Sequence, residues 1–293
     1  MATTNPALYY QPSGKTTLSG LVTLLIGGIA AIWILGIAYT YAVGFIPFIY
    51  INFIVTGAFG ILAGISFSLF VKKGNLRAPG KVTLLTAIAT LIGLYLHWAF
   101  FCAYLLHRAS DIPLWEAYQS YLFSPSKIID TAKYLLDNGH FSIGRRGRNT
   151  PVTGGFLALI WLVEALIILG GSLLLPRVKS QEPYSENLNR WADAEELPGR
   201  MSHFEDVVAT KNALEAGNIT PLLNTEPTDE KASHSKIVLY SAEGDSNCYF
   251  LSLKNVTVKI NKKGKEESST DTVVEYLRIT PAQYQELSKK FGS

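Results

Sequence analysis

The chain has 293 residues, 48% of them hydrophobic and 17% charged, with a formal net charge of +3. That length suits one large domain or two small ones, and so small a positive charge gives no reason to expect nucleic acid as a partner. The two cysteines, Cys102 and Cys248, supply neither a disulfide framework nor a set of metal ligands, so no metal or other cofactor is implied.

The apolar residues are unevenly spread, nearly all the long runs lying before residue 176. Residues 1–17 read as an N-terminal tail and 18–175 as a transmembrane region. Four runs, Leu18–Val43, Pro47–Val71, Val82–Leu106 and Val152–Leu175, reach the ~20 apolar residues needed to cross about 30 Å of hydrocarbon. None contains Lys, Arg or Asp, and only the fourth contains a Glu. The first run is much longer than the roughly 7–15 apolar residues of a signal peptide, so it reads as a retained span. The fold class expected is an all-α membrane region of four transmembrane helices, with short interfacial helices in the third loop. A small soluble α+β C-terminal region with an antiparallel sheet follows it.

Only a few residues join the first two spans, which makes them an antiparallel hairpin. The second carries Gly57, Gly60 and Gly64, the last two at GxxxG spacing, where small residues let another helix backbone approach. Packing within the molecule and self-association both use such a face. The loop between the second and third spans, KKGNLRAPGK, concentrates four basic residues against the membrane. The positive-inside bias therefore places both termini in the cytoplasm of a multi-pass membrane protein whose surroundings are the lipid bilayer.

In the interfacial loop, residues 107–151, Leu114, Trp115, Tyr118, Tyr121 and Leu122 recur at helical spacing. Ser124-Pro125 then opens a second helix that Asn138-Gly139 stops. Two amphipathic helices on the membrane surface are expected, or alternatively a cap on the mouth of the bundle. The segment FSIGRRGRNTPVTGG follows, in which Arg145, Arg146 and Arg148 suit an anion or lipid headgroup, or serve as a basic anchor before a span.

The third span sets Thr86, Thr90, Gly93 and His97 on one small, polar face, and the fourth aligns Trp161, Glu164 and Ile168. His97 lies about 10 residues below the connecting loop and Glu164 about 12, a depth difference of about 3 Å. A contact between them is therefore plausible, with Asn52 and Tyr95 as further members of the polar cluster. A carboxylate at mid-bilayer costs on the order of 3 kcal/mol or more, so Glu164 must be protonated, paired or wetted. A dry hydrogen-bonded knot, a proton or ion site, and a polar binding cavity all satisfy that demand.

Beyond the spans, residues 176–235 read as an acidic linker, with eleven acidic and four basic side chains between Gln181 and Ala232. One helix is expected there, over about 203–216, opened by a capping box at Ser202–Glu205. Residues 236–293 read as a small β-β-β-α domain. Its strands are Ile237–Tyr240, a second from Tyr249 to Ile260 with a bulge near Lys254, and Thr272–Ile279. A turn through Asn261–Gly264 joins the last two, and a capping box at Thr280–Gln283 opens the final helix. Some 60 residues make a marginal core, which asks for further packing.

No catalytic motif emerges. Gly14-Lys15-Thr16-Thr17 lacks the glycine that a phosphate loop needs five positions earlier, where Tyr9 stands. None of the five histidines forms HExxH, and there is no GxSxG elbow. The reading is a non-enzymatic, membrane-anchored interaction or sensory protein, whose C-terminal region docks a cytoplasmic protein or a second copy. The alternative is a small transporter or channel subunit built on Glu164 and His97.

Overall fold

A computed structural model describes residues 8–45, 49–139, 142–145, 148–260 and 265–292. The chain divides into two compact units, one of residues 14–181 and one of residues 182–293 together with the segment ending at Ser13.

The first unit is a helical bundle. It comprises α1 (Leu18–Phe45), α2 (Ile49–Lys73), α3 (Pro79–Ala109), the shorter α4 (Leu114–Leu122) and α5 (Pro125–Asn138), a two-stranded hairpin of β1 (Ser142–Arg145) and β2 (Arg148–Pro151), and α6 (Gly154–Lys179). By length and composition, four of these helices could cross a membrane: α1, α2 from Ile51, α3 and α6. Their contacts close a ring in which α2 and α3 each touch both α1 and α6, so that α1 and α6 stand diagonally. On α1 every fourth residue from Gly20 to Thr40 is buried, a ridge that lies in the grooves of its neighbours. At the basic end of the bundle, Gly14 N–H donates to Arg77 O (2.9 Å) and Arg77 N–H to Lys15 O (3.0 Å), tying the entry to α1 against the α2–α3 turn.

The closest helix approach is between α2 and α6. A Cβ placed on Gly171 would meet the Gly60 carbonyl carbon at 2.6 Å, and one on Gly64 would run into the Gly171 carbonyl oxygen. Gly57 has open space around it. The stretch expected at a membrane surface or as a cap on the bundle packs against α3 and α6. Tyr95 Oη donates to Leu122 O (2.8 Å), and Tyr118 stacks on Trp33 at 6.3 Å. Ser124 precedes α5 without a side-chain cap bond, whereas Gly139, at φ 81°, closes the helix by donating to Leu135 O (2.8 Å).

The second unit is built on one antiparallel sheet. A short pair, β3 (Tyr184–Ser185) and β4 (Arg190–Trp191), is followed by β5 (Asp193–Glu196), β6 (Met201–Ser202), α7 (Val207–Glu215) and α8 (Thr220–Leu223). Then come β7 (His234–Ser241), β8 (Tyr249–Ile260), β9 (Glu266–Arg278) and α9 (Pro281–Phe291). The order is β5-β7-β8-β9, with β6 also paired to β7. The core gathers Leu197, Met201, Leu214, Leu222, Leu239, Leu251, Leu277 and Leu287.

Two expectations are corrected by the structure. The segment read as an acidic linker supplies β3 to β6 and core residues from Glu182 onward. Its apolar residues are few, but Leu197, Met201, Leu214 and Leu222 are buried, while charges such as Glu195 and Glu196 lie on exposed positions of β5. The helix expected from 203 starts at Val207, where Asp206 Oδ1 accepts from Ala209 N–H (2.8 Å). Ser202 cannot cap it, because its N–H donates to Glu226 O (3.0 Å) and its strand is paired with β7. The N-terminal tail pairs with β9: Tyr9 bridges Leu277 and Tyr10 N–H donates to Tyr276 O (2.9 Å).

The bulge lies one step earlier than Lys254, with register shifts on either side of Leu253. There Tyr276 takes φ 55°, a conformation strained for an aromatic residue. It is held by donating its N–H to Ser252 Oγ (3.0 Å) and by packing edge-on to Tyr240 at 5.1 Å. Thr280 opens α9 with a reciprocal capping box to Gln283. The turn expected at Asn261–Gly264 lies outside the described residues.

Candidate functional site

Within the bundle lies a cavity of about 70 Å³, lined by α1 (Tyr39, Val43), α3 (Leu94, His97, Trp98, Phe101) and α6 (Trp161, Glu164, Ala165, Ile168). That is room for a few waters, since one needs only about 10–15 Å³ of such space. Of its lining residues on α3 and α6, Leu94, Trp98 and Trp161 are partly exposed and Ala165 is exposed.

At 1.5 Å per residue, Glu164 stands about 15 Å from the start of α6 and about 22 Å from its basic end. His97 is about 27 Å from the Lys81-bearing end of α3 and about 18 Å from the other. Tyr39 is about 32 Å and about 9 Å from the corresponding ends of α1. All three lie in the half of the bundle remote from its basic end.

His97 is buried, its ring held from several sides. Nδ1 lies 3.4 Å from Thr40 Oγ1, and the ring meets Tyr39 edge-on at 5.4 Å and Phe59 at 6.1 Å. Gly36 makes room for it, since a Cβ there would come within 2.7 Å of His97 Cβ. Glu164 is half-buried. Its polar neighbour is Tyr39, whose hydroxyl interacts with the carboxyl group and lies 3.1 Å from Thr56 Oγ1. No hydrogen bond or ion pair joins His97 to Glu164; among the described residues they share a cavity without touching as a pair.

Tyr39 is the member that the sequence reading missed. Its signal was faint: a hydroxyl three residues past Gly36, on the face of α1 that meets α3. Asn52 is buried but does not line the cavity, and its Oδ1 has no hydrogen-bond partner. Among the described residues it connects through its backbone carbonyl, which accepts from Thr56 Oγ1 at 2.8 Å. Tyr95 is taken up by Leu122 and belongs to the α3–α4 contact instead. Thr86 and Thr90 are fully buried along α3 on the side toward the basic end.

The aromatic lining has its own geometry. Trp98 and Trp161 meet edge-to-face at 5.0 Å, and Trp98 meets Phe101 at 5.7 Å. The site thus presents one carboxyl group, one phenol and one imidazole within an electron-rich wall. Arg145 and Arg148 are backbone partners across the β1–β2 hairpin, and Arg146 lies outside the described residues. No cluster of His, Cys, Asp or Glu among the described residues could hold a metal ion.

The chain matches no protein family, no curated protein and no solved structure.

Proposed function

We propose that the protein is a multi-pass membrane protein of the sensory or interaction type, in which the Glu164 cavity receives a signal and the soluble unit passes it to a partner. The membrane reading is supported by the outward faces of the four long helices. Leu18, Ile26, Ile54, Leu84, Leu162 and Leu174 are all more than half exposed, an apolar belt that water would not tolerate. In the soluble unit, Val208 and Ile260 are the only large apolar residues so exposed among those described.

The observation that carries the sensory reading is that Glu164, His97 and Tyr39, from three helices, face one small cavity instead of a continuous polar path. Toward the basic end the bundle interior is closed by Ile32, Leu24 and Phe67, all fully buried. A blind site of this kind suits occupancy better than conduction. Two covalent connections lead from the bundle to the soluble unit, one entering α1 and one leaving α6, and these two helices carry Tyr39 and Glu164.

The test uses full-length protein in lipid nanodiscs and in liposomes. Hydrogen exchange in residues 8–13 and 266–278 is expected to differ between wild type and Glu164→Gln, while neither form conducts protons or ions. Flux that Glu164→Gln abolishes, with exchange in the soluble unit unchanged, would replace this reading with the transporter or channel alternative.

A further inference from the structure

We infer that the Glu164 cavity is a binding site for a protonated amine that carries an apolar tail. This deepens the proposed sensory reading by giving the cavity a ligand class, and it rests on the bundle lying in a bilayer.

The first argument is charge. The four apolar runs contain no Lys or Arg, so no side chain within them can neutralise Glu164. The imidazole of His97 is turned to Thr40 and makes no ion pair with the carboxyl group. What Glu164 does have beside it is the phenol of Tyr39, which leaves carboxylate oxygens free to meet a ligand in the cavity. A carboxylate so placed is complementary to a cation bearing hydrogen-bond donors.

The second argument is the wall. Trp98, Trp161, Phe101 and Tyr39 surround the space beside Glu164. Aromatic faces attract ammonium groups by their quadrupole, most strongly where water is excluded. A hard metal ion is a poor match, because Ca²⁺ takes about 6–8 oxygen ligands and Mg²⁺ about six, whereas Glu164 and Tyr39 supply few. At about 70 Å³ the cavity admits an ammonium head, and a long tail must lie outside it.

The third argument is the entrance. Part of the cavity wall is exposed at Trp98, Trp161 and Ala165, on the two helices that also expose Leu91, Leu162 and Leu166. A ligand entering there arrives through hydrocarbon and leaves its tail in it. The amine could come from a free amphiphile or from an aminolipid headgroup. The distance of Glu164 from the nearer end of α6, about 15 Å, places it below the headgroup zone and favours the free amine.

Hexylamine, hexanol and full-length protein in phosphatidylcholine nanodiscs make the test, read by tryptophan fluorescence and by thermal shift. Hexylamine is expected to bind saturably, with hexanol at least about tenfold weaker and Glu164→Gln weakening hexylamine by at least about tenfold. Trp98→Leu is expected to weaken it about threefold, and remains informative if Glu164→Gln fails to fold. Equal binding of hexanol and hexylamine, or hexylamine binding unaltered in both variants, overturns the inference. Including phosphatidylethanolamine in the discs separates the two sources, since competition with hexylamine marks a lipid headgroup and its absence marks a free amine. Saturable amine binding that leaves hydrogen exchange in the soluble unit unchanged would sink the sensory reading alone and keep the site.

Discussion

Replacing Gly171 by Ala tests the α2–α6 contact directly. The new Cβ would lie 2.6 Å from the Gly60 carbonyl carbon, 2.7 Å from its oxygen and 2.9 Å from its Cα. Carbon atoms in ordinary contact stand about 3.5–4.0 Å apart, so the two helices must part by roughly 1 Å. All three colliding atoms are backbone, so no rotamer change relieves the clash. Overpacking of this kind costs about 1–3 kcal/mol, and the rigid partner puts Gly171→Ala near the top of that range. For a unit of this size the loss corresponds to a drop in melting temperature of roughly 4–12 °C. A thiol-reactive fluorophore reads it well. Burial pushes the Cys248 thiol up to about 11, so it stays silent until unfolding, and Cys102 is fully enclosed in the bundle. In a Cys248→Ser background the dye then reports the bundle alone. Gly170→Ala and Gly57→Ala are the controls, because neither added Cβ meets anything within 4 Å. Both should melt at or slightly above the wild-type temperature, given alanine's better helix propensity. If Gly171→Ala melts with the wild type, or Gly170→Ala falls as far, the close approach of Gly60 and Gly171 does not hold the bundle together.

Tyr39→Phe removes the hydroxyl that serves both Glu164 and Thr56, and should lower bundle stability by about 1–2 kcal/mol in the same dye assay; an unchanged melt would show that water replaces the phenol at no cost. Tyr10→Ala deletes a ring set edge-on to Phe250 at 5.4 Å, and should speed hydrogen exchange in residues 8–13 and at Tyr276 while leaving the bundle melt unaltered. Asp245 accepts from Ser185 Oγ (2.5 Å), Asn247 N–H (3.0 Å) and Asn187 Nδ2 (3.2 Å), and the Ser185 bond foremost holds its carboxyl below the usual range. A depressed folded value stabilises above the unfolded pKa of about 3.9 and is lost as pH falls through the folded one. Exchange in residues 184–191 and 242–248 should therefore accelerate below about pH 4, and Asp245→Asn should flatten that acid limb. Superimposable pH curves for the two proteins would refute the assignment.

The long helices were legible because span length and the absence of charge are local properties of the sequence. Glu164 and His97 were legible for the same reason, each being the wrong residue for its surroundings. Their relation was not, because it depends on how α3 and α6 are rotated, and the rotation that packs Gly60 on Gly171 and Gly36 on His97 sets them around a space instead of in contact. Tyr39 was missed because a tyrosine near the end of a span has an ordinary explanation in the headgroup zone. The linker was misread because its core residues are too widely spaced to give a period: Leu197, Met201, Leu214, Ile219 and Leu222 come from different short elements. The N-terminal pairing gave even less, since among the described residues only Tyr9 and Tyr10 pair with β9, and two residues carry no alternation. Yet that pairing bears on topology more firmly than any charge count. Tyr10 precedes the first apolar helix and Tyr276 follows the last, so a chain that threads a bilayer between them must cross it an even number of times. The basic residues of the second loop can only bias which side holds the ends, whereas the Tyr10–Tyr276 bond requires that both ends share it. Disrupting that pairing would therefore loosen the second unit without reversing any helix, and a protease added to one face should cut both termini or neither.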